Sequence, residues 1–331
     1  MKKPLRMAIA GFRHAHIFDV YQRILARTDV ELAATCEEHF EASLLPERNL
    51  KPDFVSLDEM LSKTDCQIVA LGDAYRNRGA QAIAVLESGR HVLADKPLCT
   101  SLDEWREIQR LSQLKGLCVG LMLDIRDHAN WITLRKLVQS GRIGEVQTVC
   151  FSGQHPLLWG HRPGWYFEPG RHGGTLNDIG IHAVDFIPWL TGHSIEGVVA
   201  ARTWNAKATA APHFNDCAQM MLRLSNGGGA IGDVSYLAPD GSGYLIPQYW
   251  RVTLHGLRGL AETSIQSSGV TVADDGSDAP ETIPSGQARP GGYLEDFLAC
   301  VRGQVPQGGL DTHACLEASR LALEMEAHAR S

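Results

Sequence analysis

The first third of the chain alternates short apolar runs with amphipathic stretches, and that alternation restricts the fold more than any other feature. Arg6 to Ala10, Val30 to Thr35, Gln67 to Leu71, His91 to Ala94 and Leu117 to Leu123 read as buried strands. Helical segments lie between them. Ile17 to Arg27 carries apolar residues at Ile17, Val20, Ile24 and Leu25, and Gly79 to Ser88 stops at Gly89. Two capping boxes, Ser56-Leu57-Asp58-Glu59 and Ser101-Leu102-Asp103-Glu104, open two more helices. Strands alternating with helices form a parallel sheet with crossover helices. Five or six such units in about 120 residues predict a doubly wound, Rossmann-type dinucleotide-binding domain over residues 1–123.

Beyond residue 124 the pattern changes. A helix from Ala129 to Ser140 ends at Gly141, and longer β-rich segments follow: Glu145 to Gln154, Gly197 to Ala206, Ala218 to Leu224, Ala230 to Leu237 and Tyr249 to His255. Ser225-Asn226-Gly227-Gly228-Gly229 reads as a hairpin turn, because Asn and Gly accept positive φ. Consecutive strands joined by short turns predict a largely antiparallel sheet. Asp274 to Gly292 reads as an exposed loop and Thr312 to Ala329 as a final helix. Residues 124–331 are therefore expected to form a second, α+β domain.

With 31 Lys and Arg against 38 Asp and Glu, the formal charge of −7 leaves no basic footprint for nucleic acid or an anionic membrane. A small-molecule substrate is expected instead. The eight cysteines show no metal-ligand spacing, which fits a reducing compartment. The apolar patch within MKKPLRMAIAGFRH is too short for a signal segment, and no run approaches the roughly 18 apolar residues of a membrane span. A cytoplasmic location is expected.

Four segments carry residues suited to chemistry. In Ala8-Ile9-Ala10-Gly11-Phe12-Arg13-His14-Ala15-His16-Ile17, only the first glycine of a dinucleotide fingerprint is present, with Arg13 and His16 in place of the later two. Gly11 would make the tight turn, the main-chain N–H groups from Phe12 through His14 to Ala15 would approach phosphate, and Arg13 would add a charge-assisted contact. His14 and His16, with an Asp178/His182 pair, could instead hold a metal for a hydrolase or lyase. Alternate residues at a strand–helix turn need not converge, however, so no metal is expected. Glu37, at the end of the second strand, could bind ribose hydroxyls and repel a 2′-phosphate, favouring NAD over NADP; it reads equally as a solvated strand-end charge. Lys96, in Asp95-Lys96-Pro97, falls at the carboxyl edge of the sheet, where open α/β folds bind ligands. Asp178 and His182 are spaced i,i+4, so in a helix the carboxylate can orient and raise the basicity of the imidazole as a general base. A structural helix with a capping Asp and a satisfied His fits that spacing too.

Taken in order, these segments resemble the Gfo/Idh/MocA family of glucose-fructose oxidoreductase and inositol dehydrogenase relatives. Ser88-Gly89-Arg90-His91-Val92-Leu93-Ala94-Asp95-Lys96-Pro97-Leu98 is similar to the family's AGKHVLCEKPL, and Trp165, Gly173-Gly174 and Asp178-x-Gly180-x-His182 follow its W…GGG…DxGxH pattern. Ser140-Gly141-Arg142-Ile143-Gly144-Glu145-Val146 resembles its sGxiGev turn, and the likeness spans nearly the whole chain. It implies an NAD(P)-dependent dehydrogenase acting on a small polyol, sugar or inositol-like alcohol. The fold implied is a Rossmann domain followed by an α+β domain with an open, mainly antiparallel sheet, whose outer face would build a homodimer or homotetramer. By motif position, Lys96 would hydrogen-bond the reacting hydroxyl and the cofactor ribose. His182 would be the general base, with Asp178 orienting it or the substrate. Leu71-Gly72-Asp73 and Asp95 would line the cofactor path, and Arg126 of Asp124-Ile125-Arg126 would stand near the nicotinamide. Trp165 and Tyr166 are substrate-binding candidates, with Trp159, His161, Arg162 and Arg171 nearby in sequence. Ala74-Tyr75 and Arg78 depart from the family's Pro-Asn and His. A nucleotide-binding homologue without turnover is the alternative.

Overall fold

The computed structural model describes residues 3–330. The chain divides into two compact units, and it returns to each of them. The first comprises Met1–Met122, Gly160–Gly173 and Tyr293–Ser319; the second comprises Leu123–Trp159, Gly174–Gly292 and Arg320–Ser331.

The first unit begins with β1 (Leu5–Ala10), α1 (Ile17–Leu25), β2 (Val30–Cys36), α2 (Leu57–Lys63) and β3 (Ile68–Leu71). It continues with α3 (Tyr75–Glu87), β4 (His91–Ala94), α4 (Leu102–Lys115) and β5 (Val119–Leu121). The strands form one parallel sheet in the order β2-β1-β3-β4-β5. Every residue of β3 is buried, as expected for a parallel strand covered on both faces. The winding reverses between β1 and β3, so the carboxyl ends of those strands flank the switch point where such sheets bind ligands.

Both serines cap their helices, Ser56 Oγ accepting the Glu59 N–H at 3.3 Å and Ser101 Oγ accepting the Glu104 N–H at 3.2 Å, while the Glu104 side chain accepts the Thr100 N–H at 3.1 Å. The third helix starts at Tyr75, earlier than the expected Gly79. Asp73 is the reason: its carboxylate accepts the Ala74 N–H at 2.6 Å and the Asn77 and Gln81 amides at 3.0 and 2.8 Å. Those bonds open the helix through a polar stretch that shows no apolar periodicity.

The second unit holds α5 (Ala129–Gln139), β6 (Val146–Pro156), α6 (Ile181–Thr191), β7 (Ile195–Trp204), β8 (Cys217–Leu224) and β9 (Gly229–Ala238). Then come β10 (Arg251–Gly256), β11 (Gly259–Ser264), β12 (Gly269–Asp274) and β13 (Glu281–Pro284). Its eight-stranded sheet has the order β13-β12-β11-β10-β6-β9-β8-β7 and is antiparallel except for the β6/β9 pair. The expected hairpin turn joins β8 to β9. Alternation of burial along β8 from Ala218 to Leu224 shows that one face of the sheet packs inward and the other is open there. The stretch read as a loop from Asp274 to Gly292 contains β13, an edge strand paired only with β12; Pro284 is tolerated at its end. Two later helices, α7 (Gly292–Val301) and α8 (Thr312–His328), complete the chain. Among the described residues no helix is long and apolar enough to cross a membrane, and none of the eight cysteines is joined in a disulfide.

Candidate active site

In the first unit, the sequence-selected residues gather at the carboxyl ends of β1 to β4. Gly11 has φ 81°, and a Cβ there would lie 2.5 Å from the backbone nitrogen of Asp73. Only glycine therefore allows the turn after β1 to close against the end of β3. Gly72 is equally crowded, by Ile17.

The main-chain N–H groups of this turn do not point where the sequence reading put them. Phe12 donates to Glu37 Oε2 at 2.6 Å, and Arg13 and His14 both donate to the Gly72 carbonyl, at 3.2 and 3.0 Å. The turn is thus held from within by β2 and β3, and those three donors are already committed to the fold. Glu37 is buried and also accepts the His39 N–H at 2.8 Å. Burial pushes its carboxyl above the ordinary value, against the opposing pull of the two N–H groups. Two of its four acceptor directions are so used and two remain. The Arg13 guanidinium sits 3.6 Å from Asp73, and its buried Nε has no hydrogen-bond partner, a donor that an anionic ligand could take.

Lys96 is buried, and its peptide bond to Pro97 is cis. Its carbonyl accepts Arg78 Nη1 at 2.6 Å. Arg78, fully buried, also donates to the Asp73 carbonyl at 2.8 Å and to Asp95 Oδ2 at 3.1 Å, tying the ends of β3 and β4 together. Asp95 accepts from the Nδ1 atoms of both His14 and His16. Burial disfavours the Asp95 charge, but His14, Arg78 and His16 more than offset it and hold the carboxyl well below the usual range. Burial pulls His14 down to about 4 despite Asp95, so its imidazole is neutral near pH 7.

Trp165 and Tyr166 are buried in an aromatic cluster with Tyr75 and His172, the Tyr75–Trp165 centroids lying 5.0 Å apart. The Trp165 indole N–H donates to the Arg13 carbonyl at 3.2 Å, so this pair packs and supports the turn. Arg162 stacks over Tyr166 at 4.8 Å, Arg171 approaches Asn77, His161 is exposed, and Trp159, in the second unit, is also exposed.

In the second unit, Leu176–Gly180 forms a π-helical turn that runs directly into α6. The sequence reading assumed a plain α-helix here; the wider turn is a feature common at functional sites. Asp178 and His182 are both buried. Asp178 accepts the Tyr236 hydroxyl from β9, and the His182 ring meets Trp250 edge-on, 5.4 Å between centroids. His155, Tyr244 and Tyr249 extend that aromatic wall, with His155 5.1 Å from Tyr249. At the start of the π-turn, Glu326 from α8 accepts the Leu176 and Asn177 N–H groups at 2.7 and 3.4 Å, and burial pushes its carboxyl above the ordinary value against the pull of those two bonds. Arg126 is engaged by Asp185, three residues beyond His182: Nε donates to Oδ2 at 2.9 Å and Nη2 to Oδ1 at 2.6 Å. That bidentate pair is buried on both sides and ties the middle of α6 to the segment after β5. Sequence reasoning missed Tyr236, Trp250, His155 and Glu326, because each reaches the site from a distant element with no local motif.

Comparison with known proteins gives this geometry a context. Residues 5–122 match the model of an oxidoreductase family with an NAD-binding Rossmann fold, and residues 131–262 match the GFO/IDH/MocA C-terminal domain. The chain belongs to the Gfo/Idh/MocA family. Among curated members, 1,5-anhydro-D-fructose reductase of Ensifer adhaerens is 27% identical over 151 residues, 45% of this chain and 45% of that protein. The scyllo-inositol 2-dehydrogenase (NADP(+)) of Bacillus subtilis is 26% identical over 155 residues, 46% of this chain and 42% of that enzyme. The matched segments thus span less than half of those relatives' own lengths. An oxidoreductase from Agrobacterium radiobacter, solved with NAD+, L-tartaric acid and magnesium, shares the fold with a TM-score of 0.80 at 17% identity, covering 99% of this chain and 97% of that one.

Proposed function

We propose that this Gfo/Idh/MocA protein is an NAD(P)-dependent dehydrogenase that oxidises a secondary hydroxyl of a small polyol, sugar or inositol-like substrate. The observation that carries the reading is the Asp178/His182 pair, a carboxylate and an imidazole buried at the entry to α6 beside Tyr236 and Trp250. Oxidising an alcohol requires a base for the hydroxyl proton and a hydride acceptor facing the carbon. His182 takes the proton, Asp178 orients substrate or imidazole, and Lys96 hydrogen-bonds the reacting oxygen. The aromatic wall presents apolar faces to the C–H side of a sugar-like ring. The names of the two curated relatives, an anhydro-sugar reductase and an inositol dehydrogenase, support that substrate class.

The cofactor, when bound, supplies the hydride acceptor. The residues assigned to hold it are Gly11, Phe12, Arg13, His14, Glu37, Leu71, Gly72, Asp73, Asp95 and Lys96, all at or beside the switch point of the parallel sheet. Arg13 offers its buried Nε to phosphate, and Glu37 offers its remaining acceptor directions to ribose hydroxyls. A fixed carboxylate at the end of β2 disfavours a 2′-phosphate, so NAD is the preferred form. Arg126 acts on this chemistry indirectly, by positioning α6 through Asp185.

Self-association through the open face of the second sheet belongs to the same reading. Met221 and Ile231 are paired across β8 and β9 and are 46% and 48% exposed, adjacent apolar side chains of the kind that mark association surfaces. Ile231→Lys is expected to shift a dimer or tetramer toward monomer in light scattering.

Lys96→Ala and His182→Ala each lower kcat by at least about 100-fold while NADH still binds. Near-normal turnover in either variant would remove that residue from the mechanism. Cofactor binding without turnover on any alcohol would favour a regulatory role.

A further inference from the structure

The HxH sequence converges after all. His14, His16 and Asp95 each bring a ligand-type atom within 4.8 Å of the others. The turn after β1 bends the two imidazoles onto one carboxylate, with ring centroids 4.4 Å apart and planes at 79°. His14 faces Asp95 Oδ2 while His16 Nδ1 lies 3.2 Å from Oδ1.

We propose that His14, His16 and Asp95 form a binding site for one divalent transition-metal ion of the zinc class. Two imidazoles and one carboxylate are a donor set such ions favour, and three protein ligands leave a further position for water or an anion. Magnesium and calcium fit poorly, since they call for several oxygen ligands and only one carboxylate is present.

The surroundings supply what such a site needs. Asp95 is held in place by Arg78 Nη2 at 3.1 Å. The far nitrogen of His14, Nε2, lies 3.2 Å from the Tyr75 hydroxyl, so with the ion on Nδ1 its N–H donates to that oxygen. Outer partners of this kind fix the tautomer and orientation of a ligating imidazole. The His16 side chain, 52% exposed, leaves one side open to solvent. A neutral imidazole that takes the ion on Nδ1 carries its single proton on Nε2, so the proton that faces the carboxylate moves to the far side of the ring and the ion takes its place. The site lies wholly within the first unit and requires neither cofactor nor substrate. His14 and Asp95 are also assigned to the cofactor path, so metal binding is measured without nucleotide, where its failure is distinguishable from failure of the dehydrogenase reading.

The test uses untagged full-length protein stripped with a chelator and dialysed, then titrated with Co2+ followed by Zn2+ in the absence of nucleotide. One equivalent of Co2+ should bind with visible d–d absorption, Zn2+ should displace it, and the thermal midpoint should rise with Zn2+ concentration. His16→Ala, at a half-exposed position, should fold normally and lower the Zn2+ affinity at least tenfold. Asp95→Asn provides a second variant with the same expected loss. Failure of the wild type to saturate at one equivalent would overturn the proposal. So would unchanged affinity in a folded His16→Ala variant, which would leave the cluster a hydrogen-bonded brace between β1 and β4.

Discussion

Replacing Arg126 with Met tests whether the Arg126–Asp185 pair holds α6 in position. The substitution keeps most of the apolar stem but removes both bonds to the carboxylate and a third, at 3.1 Å, to the Asp185 carbonyl. Asp185 is then left buried with its cation gone, a loss that typically costs about 3–5 kcal/mol. A pH signature distinguishes this from lost packing. Burial already holds the Asp185 carboxyl above its ordinary value, with Arg126 pulling the other way, and without Arg126 it rises further. A carboxyl whose folded pKa is raised binds more protons in the folded state, so stability falls as pH climbs from the unfolded value toward the folded one, then levels off. The deficit of Arg126→Met relative to wild type should therefore be smaller at pH 5 than at pH 8 in urea denaturation. Arg126→Met combined with Asp185→Asn should recover a large part of it, giving a coupling energy of about 2 kcal/mol or more. A deficit below about 1 kcal/mol, a deficit unchanged with pH, or additive single variants would refute the argument.

Three further outcomes follow from the geometry. Gly174 has φ 105°, and a Cβ there would lie 2.1 Å from the Glu326 carboxyl; Gly174→Ala should destabilise by about 2–4 kcal/mol in urea, through backbone strain and loss of the Glu326 cap. Gly11→Ala, which would drive a Cβ against the Asp73 backbone, should weaken NADH affinity as well as stability, read by titration and by thermal melting. Tyr236→Phe removes the hydroxyl that donates to Asp178, a charge-assisted bond worth about 1.5–3 kcal/mol. With the dehydrogenase reading, kcat/KM should fall roughly tenfold or more while cofactor affinity is unchanged.

Much of the first unit is legible in sequence because its signals are local. Ile68–Leu71 and His91–Ala94 are short apolar runs, and Ser56 and Ser101 announce their helices by a box of four residues. The second unit is less so. Strands β11 to β13 are short, polar in part and interrupted by Gly and Asp, and they persist because neighbouring strands complete their hydrogen bonds. The parallel pairing of β6 with β9 joins segments far apart in sequence, which no turn motif encodes. The same holds at the sites. Lys96, Asp178 and His182 stand out through motif spacing, whereas Tyr236, Trp250 and Glu326 become visible only when tertiary structure carries them there. The turn after β1 is the sharpest case. Its glycine was legible, but the commitment of the Phe12, Arg13 and His14 N–H groups to Glu37 and Gly72 depends on where β2 and β3 end.

The central claim is that this chain oxidises a polyol-class alcohol with NAD+, using His182 as the base. The most direct measurement incubates purified wild type and His182→Ala with a panel of sugars, inositols and sugar acids, NAD+ or NADP+ being supplied, and follows nicotinamide reduction by absorbance. Turnover of at least one such alcohol, faster with NAD+ than with NADP+ and reduced at least about 100-fold in His182→Ala, is the expected result. Absence of turnover across the panel, together with no thermal shift by NADH or NADPH at millimolar concentration, would contradict it.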